Sequence, residues 1–285
     1  GEKELMHSMQ RIYDLYLYML QLFVAIKRHA NIKIEESKRS TFIQTESELV
    51  NLSFIDNPVL KILETSPSII KACGNRKVSW EGDLENDLAK KLFKYLSDSD
   101  SYKEILDNES EDFNIQKDLL IKLFKEEICN FPLLHHFFDE KSIYWQDDLD
   151  HVSSMVIKTI KSVTKEGHVS VMSLWKEDEE EFARSLFRKA ILQKEDNDKT
   201  LEKYSKNWES DRLAKMDSLL MNLAMTEALE FSSIPVKVTL NEYIEISKFY
   251  STPRSNGFIN GILDKIFHDF KKEGKLVKTG RGLIE

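Results

Sequence analysis

Apolar positions recur along most of this chain at helical spacing, with few turn-forming interruptions. Leu5, Met9, Ile12, Tyr16, Leu20 and Phe23 form a stripe that predicts one long helix from Leu5 to Arg28. Asn31 to Phe54 is polar and Ser/Thr-rich, and reads as loop with a helical stretch around Gln44–Leu52. Asp56-Asn57-Pro58 and Ser66-Pro67 each read as a helix start, with the proline suited to a first helical turn. Gly82-Asp83 opens the pattern Leu84, Leu88, Leu92, Leu96. Ser97 to Asp112 is crowded with acids and reads as a solvated linker holding one short helix. Leu119–Phe138 and Trp145–Val163 are again apolar or amphipathic, and Phe182, Leu186, Ile191 and Leu192 mark a further helix. A charged stretch, Gln193–Trp208, precedes a helix predicted over Asp211–Phe231.

The C-terminal pattern is the most explicit. Thr239 and Glu242 have capping-box spacing, with Val238 and Tyr243 placed as a hydrophobic staple, and a helix to about Tyr250 follows. Thr252-Pro253 offers a second start. Ile259, Ile262, Leu263, Ile266 and Phe270 then share one face of the next helix. Gly257 and Gly261 lie four apart beside Phe258, which reads as exposed, so a ligand can approach the backbone there. The tail after Phe270 is expected to fray.

Composition changes this picture little. In 285 residues there are 9 glycines and 5 prolines, which favours an all-α fold over a many-turned β architecture. The length allows one large domain or two smaller ones. Without a membrane-length apolar run or a basic-then-apolar leader, a cytoplasmic location with no membrane partner is the expectation. Cys73 and Cys129 lack ligand spacing and read as reduced packing residues. The net charge of −8 argues against indiscriminate nucleic-acid coating. From Val236 onward, however, nine basic residues face six acidic ones, which leaves a basic end on an acidic body.

Candidate chemistry is sparse. His135-His136 are adjacent, so on a helix they diverge, and ordinary helix histidines are the simpler reading than a metal site. No nucleophile-with-base motif and no phosphate-binding glycine loop occurs, so neither an enzyme nor a cofactor is expected. Glu227 sits in the apolar run Leu219–Leu229 and requires a hydrogen-bonding partner.

The run from Ile234 through Asp264, with its Pro235-Val236-Lys237-Val238, Asn241-Glu242 and Phe258-Ile259-Asn260-Gly261-Ile262-Leu263-Asp264, resembles the NusB family of transcription antitermination factors. The preceding helix fits the same family through Leu223, Ala224 and Glu227, and the resemblance covers roughly Lys176 to Lys272. It implies a NusB-like domain over residues 176–285 and a helical N-terminal region, residues 1–175, that holds the family's N-terminal helices in altered form plus a large elaboration. It also implies a compact helical bundle and a role in recognition and scaffolding. The implied partners are boxA-like single-stranded RNA, the ribosomal protein NusE and the RNA polymerase antitermination complex.

Matching the family's RNA-contacting segment, Arg254, Ser255, Asn256, Gly257, Phe258, Asn260 and Lys265 are the implied RNA-binding residues. A helix N-terminus ringed by donors suits phosphate, and Phe258 is placed to stack on a base. Asp217 matches an acidic position that faces NusE and reads as an exposed acid near a helix start. Two departures stand out. The family's arginine-rich N-terminal helix has only the sparse Arg11, Lys27 and Arg28 as counterparts, and Arg254 replaces a frequent acid. The alternatives are a protein-interaction adaptor without RNA binding and the NusB-like domain of an RNA methyltransferase. The latter requires glycine-rich cofactor loops downstream. The acidic N-terminal region reads as a further protein-docking surface.

Overall fold

A computed structural model describes residues 1–39, 47–176, 178–205 and 214–283. Among them the regular structure is helical throughout, without strands. The chain divides into two compact units, residues 3–174 and residues 175–285.

The N-terminal unit is built around α1 (Glu2–Arg39). This helix is buried on nearly every side between Leu15 and Leu20, so a single amphipathic stripe underestimates it. It also runs past Arg28, because Ala30 and Ile34 keep the apolar period and are both buried. The expected loop therefore begins as helix. The rest of that loop is α2 (Ser47–Asp56), with residues 40–46 outside the described residues. Two indoles fasten the surrounding elements to α1 carbonyls: Trp80 donates to Tyr18 O at 2.8 Å and Trp145 to Arg11 O at 2.7 Å. Tyr16 shares a 2.7 Å hydrogen bond with Thr159. Asp14, buried in the same helix, is neutralised by Arg11 at 2.8 Å and Arg76 at 2.5 Å, as a desolvated carboxylate requires.

The two Asn/Ser-Pro starts form α3 (Pro58–Thr65) and α4 (Pro67–Arg76), and Asn57 accepts from the amides of Val59 and Leu60 as its position predicts. The next helix is α5 (Asp83–Ser97). The acidic linker does contain one short helix, α6 (Asp100–Asp107). It is no solvated spacer, since Tyr102 and Ile105 are core residues and the acids lie on its outer face. The apolar middle forms α7 (Phe113–Leu123), a π-helical turn over Phe124–Ile128 and α8 (Pro132–Lys141). The unit closes with α9 (Leu149–Ser162).

The C-terminal unit packs α10 (Glu179–Ser205), α11 (Lys215–Glu230), α12 (Val236–Tyr250) and α13 (Ser255–Lys272) around one core. All five residues of the predicted α13 stripe are buried, and Phe267 joins them. The charged stretch after Gln193 continues as α10 to Ser205. Its Asn197 amide reaches Asn222 Oδ1 at 3.2 Å and Thr226 Oγ1 at 3.0 Å. The predicted ends at Trp208 and Asp211 lie outside the described residues.

Three local expectations are corrected here. Helix α12 begins at Val236, one residue after Pro235, so Thr239 lies inside it and does not cap it. Val238 is 45% exposed and lies inside the helix, not before its start where a staple residue sits. The tail is fastened. Gly274 takes φ +69°, its amide donates to Lys271 O at 3.2 Å, and Lys275 N donates to Phe270 O at 2.9 Å. This Schellman pattern turns the chain back. Thr279 N then donates to Ser232 O at 3.0 Å and Lys278 Nζ to Phe231 O at 3.0 Å.

Candidate nucleic-acid interface

The turn between α12 and α13 is set by one buried carboxylate. Asp217, in the first turn of α11, is 5% exposed. Ser251 Oγ donates to its Oδ1, and Ser255 Oγ donates to its Oδ2 at 2.8 Å. The Ser251 and Ser255 hydroxyl oxygens also lie 2.9 Å apart, and Thr252 shares a 2.8 Å bond with Ser255. Four polar side chains thus lock residues 251–255 onto α11. Asp217 is not the exposed acid that its helix-start position predicts, because the turn folds over it. Ser255 is likewise buried, with its hydroxyl turned inward and away from any phosphate.

Beyond that anchor α13 presents an open face. Arg254, at its N-cap, makes no side-chain capping bond and is exposed. Gly257, Asn260, Gly261, Lys265 and His268 are exposed as well. Arg254, Gly261 and Lys265, at i, i+7 and i+11, share one side of the helix. A methyl group placed on Gly257 or Gly261 would meet no other atom within 4 Å. Internal packing therefore does not account for these glycines, and what they leave is bare backbone between two cations. Asn256 is half-buried, and its Oδ1 accepts the Gly257 amide at 2.7 Å. The Ser255 amide donates to Thr252 O at 2.9 Å. Two of the helix N-terminal donors expected to meet an anion are thus already satisfied within the chain.

Phe258 also departs from expectation. It is half-buried and packs against the C-terminal core. The open ring is Phe249, 82% exposed, near the end of α12 and five residues before Arg254. A signal for it lies in the sequence: Thr239, Tyr243 and Ser247 set the buried period of α12, and Phe249 falls off that face.

Glu227 has the partners that its burial demands. Thr239 Oγ1 donates to one carboxylate oxygen at 2.7 Å and the Tyr243 hydroxyl to the other at 3.1 Å. Burial pushes the Glu227 carboxyl above the usual range, although both donors pull it back. Tyr243 is pushed up in turn by burial and by the neighbouring carboxylate. Between α10 and α12 an apolar groove of about 670 Å³ is lined by Phe182, Leu186, Ile234, Val238 and Ile246, with Glu227 and Glu242 among them.

In the N-terminal unit His135 bonds the Cys129 carbonyl at 2.8 Å and His136 lies 3.3 Å from Glu140. Among the described residues no three His, Cys, Asp or Glu side chains gather as a metal site. Both cysteines are free, and burial holds the Cys73 thiol up at about 11. No helix among the described residues is long and apolar enough to cross a membrane.

Residues 143–268 match the NusB family model. The match starts upstream of Lys176, so it takes in α9 of the N-terminal unit as well as α10 to most of α13. The chain is 48% identical over 104 residues to the transcription antitermination protein NusB of Salinibacter ruber, covering 36% of this chain and 65% of that protein. It is 41% identical over 105 residues to the protein of the same name from Chloroherpeton thalassium, covering 37% and 50%. A third, from Natranaerobius thermophilus, is 44% identical over 75 residues, covering 26% and 54%. The aligned stretch thus spans between half and two thirds of these relatives' length. No solved structure matches.

Proposed function

We propose, from the match of residues 143–268 to the NusB family, that the protein is a transcription antitermination factor. In this reading it binds boxA-like single-stranded RNA together with the ribosomal protein NusE and promotes antitermination by RNA polymerase in ribosomal RNA operons. The observation that carries the RNA part is the exposed face of the α12–α13 turn, where Arg254 and Lys265 flank bare backbone at Gly257 and Gly261. Cations on either side of an open backbone suit a phosphate strand, and the exposed Phe249 ring offers a sequence-tolerant platform for a base. Asn260 is exposed beside them for a base edge.

Phe258 contributes from the edge of this face and Asn256 shapes its start. Ser255 and Asp217 act beneath it, holding the turn in register. Asp217 thus links the α11 start, proposed to lie near the protein partner, to the segment that meets RNA. In this reading residues 176–285 carry these functions, and residues 1–175 hold the start of the family match, from residue 143, together with the helical elaboration.

The inward Ser255 hydroxyl and the satisfied Gly257 amide favour a second reading, an adaptor that holds NusE without RNA. Fluorescence anisotropy with a labelled boxA oligonucleotide, with and without NusE and over a salt series, separates the two. Sequence-dependent binding that tightens with NusE is expected, and Phe249→Ala should weaken it by about tenfold, within the range of a lost base stack. Arg254→Glu should both weaken binding and flatten its salt dependence. NusE capture with no RNA binding at any salt would leave the adaptor.

A further inference from the structure

The tail, which lies beyond the segment matched to the NusB family, folds back to close a groove against helices of that segment. After Gly274 reverses the chain, the Thr279 and Lys278 bonds fix the tail against residues 231–232. Gly282 lies so close to the Ser232 carbonyl that a Cβ there would overlap it. The tail thereby becomes one wall of a groove of about 830 Å³ whose other walls are α12 and α13. That volume is within the usual range of roughly 300–1,000 Å³ for ligand-binding clefts.

Its lining is apolar at Val236, Leu240, Phe267 and Leu276, and Val277 and Leu283 stand on the tail side, 65% and 66% exposed. The charged groups around it are Lys237, Lys271 and Lys278 against one carboxylate, Asp264, among the described lining residues. We propose that this groove binds an acidic amphipathic helix of a partner protein, with its apolar face on Leu240 and Leu276 and its carboxylates toward Lys237 and Lys271.

Three observations choose that occupant. A lysine-rimmed apolar floor repels a basic helix and attracts an acidic one. Phe267 is 4% exposed and offers no open ring, whereas a single RNA strand is held by stacking. The exposed apolar residues of the tail extend the floor outward, as a helix longer than the cleft requires. The proposal does not rest on RNA binding at Arg254, which lies at the opposite end of α13.

The test uses the full chain and two labelled synthetic peptides. Each carries leucine at i, i+3, i+4 and i+7, with glutamate elsewhere in one and lysine in the other. The glutamate peptide should bind and weaken with salt. Lys237→Glu with Lys271→Glu should lower its affinity about tenfold and let the lysine peptide bind instead. Val277→Asp with Leu283→Asp should weaken the glutamate peptide while thermal unfolding followed by circular dichroism stays unchanged. Equal binding by wild type and the charge-reversed variant, or preference of the wild type for the lysine peptide, would overturn the proposal. So would displacement of the glutamate peptide by a uridine-rich oligonucleotide with the same dependence on the two lysines, which would make the groove a nucleic-acid site. Loss of boxA binding in Phe249→Ala with peptide binding intact would separate this groove from the RNA face.

Discussion

Asp217→Ala tests whether the turn that carries Arg254 is held from beneath. The carboxylate is 5% exposed and accepts from the hydroxyls of Ser251 and Ser255. Hydrogen bonds to a charged group each contribute about 1.5–3 kcal/mol net. Deletion also relieves the carboxylate's own desolvation, and the Ser251–Ser255 and Thr252–Ser255 bonds remain to satisfy the hydroxyls. The net local cost works out at roughly 2–3 kcal/mol, and about 1 kcal/mol for Asp217→Asn, which keeps the shape and one acceptor. With two units in the chain, a single global unfolding energy describes the change poorly. Amide hydrogen exchange read by mass spectrometry over residues 249–262 isolates the affected segment. The alanine variant should exchange there about 30- to 140-fold faster, with peptides from α7 and α9 unchanged. RNA affinity should fall in parallel, since Arg254 loses its fixed position. Unchanged protection of the turn, together with lost NusE binding, would refute the reasoning and return Asp217 to the role of a direct contact.

The other expectations are briefer. Glu227 has a folded-state pKa raised by burial, so its contribution to stability is complete below the unfolded glutamate value of about 4.3 and is lost as pH rises through the raised folded value. Glu227→Gln should therefore flatten the pH dependence of C-terminal unit stability across that window and match or exceed wild type above it; urea titrations from about pH 4 to about pH 8 check this, and an unchanged slope would count against it. Gly274→Ala meets no steric neighbour but must hold φ +69°, so it should cost about 1 kcal/mol and speed exchange of the Lys275 amide. Trp145→Ala removes a 1% exposed indole and its bond to Arg11 O, and should cost about 3–5 kcal/mol in thermal unfolding of the N-terminal unit.

Much of the fold is legible in apolar spacing. The buried stripe of α13, the capped start at Asn57-Pro58 and the helix opened by Asp83 all follow from local periodicity and capping chemistry, which depend on a few neighbouring residues. The site was less legible. Thr239 and Glu242 have capping-box spacing, yet Glu227, twelve residues before Thr239, takes that hydroxyl, because an unpartnered buried carboxylate costs more than an uncapped helix end. Phe258 reads as the stacking ring from its motif, but the core takes part of it, and the ring left 82% exposed is Phe249, off the buried face of α12.

The sequence by itself determined an all-helical chain with a NusB-like C-terminal part, since hydrophobic period and capping act over a few residues. The tertiary structure alone decided which polar groups face inward. Asp217 and Ser255 satisfy each other across thirty-eight positions, while Arg254, Lys265 and Phe249 stay exposed. It likewise turned the tail into a wall, because the acceptors that hold it, the carbonyls of Phe231 and Ser232, belong to the turn between α11 and α12. Pairing of this kind depends on proximity in space, which the order of residues does not display.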